Sequence, residues 1–480
     1  MALKVMGSDL IRRFSDSVRV KIYHLMNDKD EAGFFDDFKG SPPDMIAFSE
    51  IDVLVNQVNR IAERLKDVSQ KTLIVVGGKQ TSLLRTGDSF PFRGIDMALR
   101  GDGINAIAAL VRTRLESGVF PRDIDGSIKT NANGLIVGHN DFTERFDISQ
   151  LDLIGSHRLD VEGHPFEHYL TTHQKFPRIV PGDVRTSSLF TGTGCPHSCN
   201  FCQSPFDYGD MSKKVFLRSQ HDVASEMVWL QEAHGVNNFF SLEPSLNLTN
   251  LLRVFDVLEQ EYGINHLPIS GFVRAVDIVK AYKRGVLQKL VIKGVRVLSI
   301  GLDIPLDTQD DVYNKNFSYD DMVECLRICN ELGILPVVTI VGDPNIDAET
   351  FAKQLDTTKR LPVAGVDVRL TIALRNTTLF KLVEDRLLHH PNTDSEYFDQ
   401  QNYRYQTIQV PGKIESEQTY DLVNAFHRDF LINPTHVAYV LNMFRRFPDV
   451  KPFFVRQYKD YEKENGKTHL PAEIINALTL

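Results

Sequence analysis

Residues 193–202 read Thr-Gly-Cys-Pro-His-Ser-Cys-Asn-Phe-Cys and hold three of the chain's five cysteines, Cys195, Cys199 and Cys202. Three thiolates on one short loop can bind three irons of a [4Fe–4S] cube and leave the fourth iron open to an exogenous ligand. A structural zinc site usually takes four ligands, and only His197 is near enough in sequence to be the fourth. A disulfide framework favours an even number of cysteines in a short secreted chain. The spacing therefore favours an iron–sulfur cluster over both alternatives.

Composition and charge limit the class of protein. At 480 residues the chain is long enough for two or three domains. It is 42% hydrophobic and 24% charged, as soluble globular proteins are, and no run approaches the roughly 20 apolar residues of a membrane span. The net charge of −9 and the lack of a basic stripe argue against a nucleic-acid partner. Because the first residues lack the apolar core of a secretion signal, we expect a cytoplasmic protein that does not contact a membrane.

The first part of the sequence alternates between strand and helix patterns. Strands are predicted at Val18–Tyr23 and at residues 43–49, 72–78 and 96–99, and helices at 51–65 and 106–115. The run over residues 72–78 is apolar and ends in a glycine pair, which is typical of a buried parallel strand. We therefore predict a small doubly wound, Rossmann-like α/β domain over residues 1–130 and a connector over residues 131–186.

Six strand–helix units follow from Ser187. The strands are predicted at residues 187–191, 238–243, 268–274, 295–303, 335–343 and 366–373. The helices that alternate with them are predicted at residues 221–234, 248–262, 276–290, 319–332 and 348–360. This order indicates a parallel sheet, here a partial (β/α)6 barrel over residues 187–375, with a mainly helical domain over residues 376–480 that would help to close the barrel.

The phases of these strands predict a polar lumen. In the fourth strand Leu298 and Ile300 share one face, and Ser299, Gly301 and Asp303 share the other. The fifth and sixth strands repeat this pattern. Since the polar face is richest at the carboxyl ends of the strands, where barrel active sites lie, we expect the lumen to hold a polar ligand.

The cysteine loop resembles the signature of the radical S-adenosylmethionine (SAM) superfamily, including the aromatic residue before the last cysteine, Phe201. In that family the open iron binds the amino and carboxylate groups of SAM, and one electron cleaves SAM to methionine and a 5′-deoxyadenosyl radical. The resemblance implies an enzyme that removes hydrogen from a C–H bond of a small-molecule or peptide substrate. It also implies an electron donor such as flavodoxin or ferredoxin.

Three phrases of the N-terminal part, P-D-M-I-A-F-S, I-V-V-G-G-K and D-M-A-L-R-G-D-G, resemble the cobalamin-binding (B12-binding) domain of one subgroup of this superfamily. The Asp-x-His-x-x-Gly motif that supplies an axial imidazole to cobalt is absent, and only about 18 residues precede the strand predicted at Val18. The resemblance implies cobalamin as a further cofactor. These departures favour a tailoring enzyme of secondary metabolites or peptides that works without cobalamin, by epimerisation, dehydration, cyclisation or oxidation.

Two alternatives stay open at this point. A cobalamin-dependent C-methyltransferase would keep the cofactor, whereas without cobalamin the N-terminal domain would only pack on the barrel or mediate a homodimer. A non-catalytic iron–sulfur scaffold or sensor would not use SAM at all.

The resemblance also implies roles for individual residues. Glu243 stands where the family has a Gly-Gly-Glu-like element that accepts the amino group of SAM, although both glycines are missing here and a solvated acid is the alternative. Arg274 would bind the SAM carboxylate and Asp303 the ribose hydroxyls, unless they pair with each other. Gly342 would pass beside adenine. The predicted substrate contacts are Asp343, Arg369 and Thr371.

Two further features have plainer interpretations. Cys325 and Cys329 lie four residues apart in a predicted helix, on the face that should pack on the barrel, so we interpret them as core residues. His197 is interpreted as a spacer in the cysteine loop.

Overall fold

The computed structural model describes residues 2–23, 25, 28–50, 55–78, 81–82, 84–101, 103–140, 185–202, 215–302, 315, 318–342, 346–370, 377, 416–466 and 469–479. The described residues form two compact units, one up to residue 140 and one from residue 185 onwards. Within these ranges no helix combines the length and the apolar character that crossing a membrane requires. The domain borders given above remain predictions.

The first unit is built on a parallel three-stranded sheet in the order β1-β2-β3. Its strands are β1 (Met45–Glu50), β2 (Leu73–Gly78) and β3 (Met97–Leu99). Its helices are α1 (Ala2–Phe14), α2 (Asp28–Gly40), α3 (Val55–Val68) and α4 (Ile104–Ser117). A hairpin of β4 (Ile128–Thr130) and β5 (Ile136–His139) follows.

Helices cover both faces of this sheet. Ile74 of β2 packs with phenylalanines of α2 and with Leu65 of α3, whereas the next residue, Val75, packs with Leu10 of α1 and Leu110 of α4. This is the alternation expected of a strand that is buried on both sides. The predicted α/β class is confirmed. The three described strands lie side by side in the order in which they occur in the sequence, without the change of direction that a doubly wound sheet has.

The strand predicted at Val18–Tyr23 is wrong. Only Lys21 in this stretch makes an isolated bridge. The alternating side chains instead fasten an extended segment to α2: the Lys21 ammonium and the Tyr23 hydroxyl both donate to Asp37, at 2.5 and 2.8 Å, and the Tyr23 ring packs edge-on against Phe34. The side chains of this segment do alternate with a period of two, but those of Lys21 and Tyr23 contact the helix α2 and not a neighbouring strand.

The second unit contains six parallel strands in the order β13-β12-β11-β10-β9-β6. They are β6 (Thr186–Leu189), β9 (Asn238–Ser241), β10 (Ile269–Arg274), β11 (Val297–Gly301), β12 (Leu335–Gly342) and β13 (Gly365–Leu370). Two short antiparallel strands, β7 (Gly192–Thr193) and β8 (Phe216–Leu217), lie between β6 and β9 in sequence. All six predicted barrel strands are confirmed within a few residues.

Helices alternate with these strands. They are α5 (Gln220–His234), α6 (Leu248–Tyr262), α7 (Ala275–Lys283), α8 (Val286–Ile292), α9 (Tyr319–Leu332) and α10 (Ala348–Thr358). Side-chain caps explain why several begin where they do; Ser318 and Asp321, for example, form a capping box at the start of α9. The single helix predicted over residues 276–290 is two helices, because Gly285 adopts φ +69° between them.

The register of the sheet confirms the predicted polar face, which we call the lumen face. Partner residues of parallel strands point to the same side. One row across the sheet joins Arg274, Gly301, Thr339 and Asp367. The next row towards the amino ends joins Phe272, Ser299, Val337 and Gly365. The intervening row, Val273, Ile300, Val338 and Val366, is apolar and buried on the opposite face.

The C-terminal helices pack on this sheet. They are α11 (Ser416–Phe430), α12 (Pro434–Arg446), α13 (Lys451–Asn465) and α14 (Ala472–Thr479). One apolar core joins α12, α13 and α14 to Val297, Leu335 and Val337, which lie towards the amino ends of their strands and share the lumen face. The helix α11 packs on α10 and on the edge strand β13. The tail therefore covers the amino-terminal part of the lumen face and one edge of the sheet.

Adding a side chain at Gly294 should destabilise the second unit strongly. Gly294 has φ +116°, and a Cβ there would lie 2.7 Å from the carbonyl group of Leu267, whereas Gly285, with φ +69°, has open space around its Cβ position. We expect Gly294→Ala to lower the free energy of unfolding by about 3 kcal/mol and the control Gly285→Ala by about 1 kcal/mol. Urea unfolding followed by fluorescence of Trp229, the chain's only tryptophan, measures both. Equal losses of the free energy of unfolding in the two variants would contradict the close approach of Gly294 to the carbonyl group of Leu267.

Replacing His436 should make the protein less sensitive to acid. His436 lies in α12, and burial lowers its pKa to about 3, below the ordinary 6.5. The neutral ring therefore contributes stability that is fully present above pH 6.5 and lost as the pH falls towards 3. We expect the free energy of unfolding of His436→Leu to decline less steeply below about pH 6.5 than that of the wild type, by up to about 1.4 kcal/mol per pH unit.

The matched control is His266→Leu, because His266 is exposed. Urea unfolding at several pH values measures the slopes. The control should follow the wild type, and parallel curves for His436→Leu and the wild type would contradict the prediction.

Candidate functional site

The cysteine loop starts at the carboxyl end of β6. Strand β7 pairs with β8, and Gly194 then turns the chain with φ +87°, a conformation that suits glycine, directly before Cys195. Cys195 is buried, and Cys199 and Cys202 are half-buried. The N–H of Cys202 donates to the carbonyl of Cys199 at 3.2 Å, so the last two cysteines of the loop lie on one turn.

Glu243 holds the start of this loop. Its Oε1 accepts hydrogen bonds from the backbone N–H groups of Thr191 and Gly192, at 2.5 and 3.1 Å, and from the hydroxyl of Ser241 at 3.0 Å. The residue is only 4% exposed, so the alternative of a solvated strand-end acid is wrong. Burial raises the pKa of Glu243, while the hydrogen bonds from Thr191, Ser241 and Gly192 act to lower it. The carboxylate is a structural part of the loop as well as a candidate ligand.

Arg274 contacts the loop from β10. One of its terminal nitrogens hydrogen-bonds Nδ1 of His197, and the other donates to the carbonyl of Lys315. His197 Nε2 lies 3.7 Å from a carboxylate oxygen of Asp277, in the first turn of α7. The interpretation of His197 as a spacer is therefore wrong: its ring links the cysteine loop to β10 and α7.

Lys315 was missed by sequence reasoning. It is a buried lysine whose ammonium donates to the carbonyl of Gly301, at the carboxyl end of β11, at 2.6 Å. Its charge, like that of Arg274, acts on the Cys199 thiol. A single lysine in a polar stretch carries no pattern, so nothing in the sequence pointed to this position.

The charges and the burial around the loop change the pKa of its thiols, and so decide how readily they form the thiolates that bind iron. Burial raises the pKa of the Cys195 thiol and raises that of Cys199 to about 11, and the positive charges of Arg274 and Lys315 oppose this at Cys199. The thiols also act on one another, since Cys202 raises the pKa of both Cys195 and Cys199. Iron binds the thiolate, so nearby cations favour the form that a cluster needs.

Three thiols with two adjacent cations are a donor set that fits a [4Fe–4S] cluster. The side chains are not drawn together around a metal position: within the ranges given above, no group of three or more His, Cys, Asp or Glu side chains is arranged so that it could hold a metal ion. The fit therefore rests on the chemical type of the three side chains and on the short spacing of the three cysteines in the sequence.

The other predicted site residues divide into two groups. Phe201 lies on the loop beside Cys202, Gly342 ends β12, and Arg369 lies on the lumen face of β13, exposed and paired with Asp367. A Cβ at Gly342 would lie 3.2 Å from the ring of Phe351, so a side chain there would press on this ring of α10. Their roles remain predictions. The other predicted site residues, Asp303, Asp343 and Thr371, lie outside the described residues.

An aromatic pair on the lumen face was also missed. Phe272 lies two residues before Arg274 on β10 and is 36% exposed. Its ring meets that of Phe240 edge-on, with the ring centres 5.5 Å apart. Register places Phe240 beside Ser270, on the same face as Phe272. The lumen face thus offers apolar surface next to its polar groups, which the phase of Ser270 and Arg274 alone did not indicate.

Cys325 and Cys329 do not join this site. Both are fully buried in α9, as predicted for core residues.

Comparisons with known proteins agree with this geometry. Residues 189–357, about a third of the chain, match the family model described as Radical SAM superfamily. A comparison with curated proteins finds no match.

Two solved structures resemble most of the chain. The radical S-adenosylmethionine methyltransferase TsrM from Kitasatospora setae, determined with a tryptophan substrate and a SAM analogue, matches with a TM-score of 0.63 at 16% identity, over 90% of this chain and 86% of that one. The cobalamin-dependent S-adenosylmethionine radical enzyme OxsB, determined with aqua-cobalamin and SAM, matches with a TM-score of 0.59 at 13% identity, over 91% of this chain and 67% of that one. At these identities the likeness shows a shared fold.

Removing the carboxylate of Glu243 should destabilise the second unit much more than neutralising it. Glu243→Ala leaves two buried N–H groups without an acceptor, whereas the amide oxygen of Glu243→Gln can still accept. We expect the free energy of unfolding to fall by about 3 kcal/mol or more in the alanine variant and by about 1 kcal/mol or less in the glutamine variant at pH 5. Urea unfolding followed by Trp229 fluorescence measures both values.

The pH dependence gives a second readout. Because burial raises the pKa of Glu243 in the folded state, the wild-type residue contributes stability that is lost as the pH rises above its ordinary pKa of 4.5. The stability of Glu243→Gln relative to wild type should therefore increase as the pH rises above about 4.5. Equal effects of the two variants at every pH would contradict the structural role of this carboxylate.

Proposed function

We propose that this radical SAM enzyme, whose residues 189–357 match the superfamily model, cleaves SAM to methionine and a 5′-deoxyadenosyl radical, which removes hydrogen from a C–H bond of a small-molecule or peptide substrate. The superfamily's cofactors are a [4Fe–4S] cluster and SAM. When bound and reduced, the cluster supplies the electron for this cleavage. The observation that carries the proposal is the cysteine loop at the carboxyl end of β6, next to the basic residues Arg274 and Lys315.

Each of the chain's own residues would have a distinct role. Cys195, Cys199 and Cys202 would hold the cluster. Glu243 uses Oε1 for the loop, so Oε2 would be the oxygen that accepts the SAM amino group. Arg274, with the charge of Lys315 beside it, would bind the SAM carboxylate, and Asp303 the ribose hydroxyls. Because a fixed lumen limits the positions of the substrate, the radical would be directed to one bond.

The lumen face supports a substrate of mixed character. Phe272 offers apolar surface, and Arg274 lies two residues farther along the same face of β10. A substrate with an apolar group beside a polar one fits this part of the face. Asp343, Arg369 and Thr371 remain the proposed contacts farther along the sheet, and an electron donor such as flavodoxin or ferredoxin would reduce the protein.

A cobalamin-dependent methyltransferase is the second candidate, and one observation favours it. Both similar structures match about nine-tenths of the chain, the N-terminal unit included, and OxsB is described as cobalamin-dependent. The first unit has helices on both faces of its sheet, and β2 ends in Gly77 and Gly78. If this unit binds cobalamin, the cofactor would supply the methyl group that the enzyme transfers to its substrate. The main proposal remains a reaction without it, such as epimerisation, dehydration, cyclisation or oxidation.

Mass spectrometry of SAM products tests the proposal. The full chain, reconstituted anaerobically with iron and sulfide and then reduced, should convert SAM to 5′-deoxyadenosine. Cys199→Ala removes one thiol of the loop and should abolish this product. The matched control Cys325→Ala removes a buried thiol of α9 and should retain it.

Adding cobalamin separates the two candidates. Deoxyadenosine alone supports the reaction without cobalamin, and S-adenosylhomocysteine that appears together with it supports the methyltransferase. S-adenosylhomocysteine without deoxyadenosine would contradict hydrogen removal by the radical. If the wild type forms neither product, that result would contradict the proposed enzymatic activity and favour a non-catalytic iron–sulfur scaffold.

A further inference from the structure

One peptide group at the base of the cysteine loop lies between a buried cation and a buried anion. The carbonyl of Phe190 accepts a hydrogen bond from Nη1 of Arg218 at 2.8 Å. The N–H of the same peptide group, which belongs to Thr191, donates to Oε1 of Glu243 at 2.5 Å. One end of the peptide dipole therefore has the charged Arg218 as its partner and the other end has the buried carboxyl group of Glu243, and charge-assisted hydrogen bonds are stronger than neutral ones.

The contacts on either side extend this arrangement. The backbone N–H of Arg218 donates to the carbonyl of Thr191 at 2.9 Å, and the N–H of Gly192 donates to the same oxygen of Glu243 at 3.1 Å. Three consecutive residues, Phe190, Thr191 and Gly192, are thus fixed by two side chains from different elements. Cys195 follows three residues after Gly192, so a change in direction here would move the thiols.

Arg218 is itself held rigidly. Its side chain is completely buried, and the guanidinium pairs with Asp222 through Nε at 2.7 Å and with the buried Glu226 through Nη1. Both carboxylates come from α5, so the helix fixes the position of the guanidinium. Burying a charge in this way is costly unless it is paired and hydrogen-bonded. Ordinary packing of the loop would not require a cation at this position.

We propose that Arg218 is a positioning residue of the cluster site: together with Glu243 it clamps the Phe190–Thr191 peptide and sets the direction in which β6 delivers the cysteine loop. This proposal rests on the proposed function, because it assumes that the loop holds a SAM-binding cluster. Arg218 acts through the backbone, without touching SAM or the substrate.

Two variants separate the clamp from general stability. Arg218→Lys keeps the charge but has a single nitrogen, which cannot reach the Phe190 carbonyl and both carboxylates of α5 together. The matched control Asp222→Asn breaks an ion pair of the same guanidinium but leaves its bond to Phe190 in place. Trp229 fluorescence and circular dichroism establish that each variant is folded.

Two measurements on the full chain follow. In the anaerobically reconstituted protein, the electron paramagnetic resonance spectrum of the reduced cluster is titrated with SAM. In the protein as isolated, hydrogen exchange at the amides of Thr191 and Gly192 is followed by mass spectrometry. In Arg218→Lys we expect the SAM concentration for half-saturation to rise, and the exchange at both amides to quicken, by about tenfold or more. Asp222→Asn should stay within about twofold of the wild type in both.

Three results would overturn the proposal. Arg218→Lys within about twofold of the wild type in both measurements would show that the clamp is dispensable. Equal losses in Asp222→Asn would show that α5 as a whole is responsible. An unfolded Arg218→Lys beside a folded Asp222→Asn would assign Arg218 to the core. A wild type without a SAM-sensitive spectrum would instead refute the proposed function, and the two failures are thereby distinguished.

Discussion

Backbone hydrogen bonding at the end of β6 is the constraint on which the candidate site depends. Strand β6 pairs with β9 as far as Leu189, and the chain must then leave the sheet to form the cysteine loop. The N–H groups of Thr191 and Gly192 are buried there, and a buried N–H without a partner costs about 1–3 kcal/mol. Glu243 satisfies both with one oxygen. An acid that lies two residues beyond β9 thus fixes where the neighbouring strand β6 ends and the loop begins.

The lumen face combines two environments along one set of strands. Towards the amino ends, Val297, Leu335 and Val337 are covered by the C-terminal helices and belong to their core. Towards the carboxyl ends, the same face carries Arg274, Thr339 and Asp367, with Phe272 between the two regions. Burial of apolar side chains at the amino ends of the strands stabilises the sheet. The carboxyl ends of the same strands can therefore carry polar groups. A helical tail that packed elsewhere would leave those three aliphatic side chains exposed.

The sequence predicted most of the second unit because its signals are local. The alternation of strand and helix patterns located the six strands and the helices between them, and caps such as the Ser318–Asp321 box explain where these helices begin. The errors come from partners distant in sequence. Val18–Tyr23 alternates because Lys21 and Tyr23 reach Asp37 on a helix. Gly285 divides a helix whose apolar periodicity continues across it. In the site, the cysteines were evident from spacing alone, whereas the contacts of His197, Lys315 and Phe272 depend on which strands lie side by side.

Electrostatics explains why Arg274 and Lys315 lie beside the cysteines. Burial raises the pKa of Cys195 and Cys199, which disfavours the thiolate form that binds iron. The charges of Arg274 and Lys315 oppose that effect at Cys199, and Arg274 also does so at Cys195. Both cations are held by groups at the carboxyl edge of the sheet: Lys315 donates to the carbonyl of Gly301, and Arg274 extends from the end of β10 to His197. The same edge therefore supplies the position of the loop and the positive charge that its thiolates require.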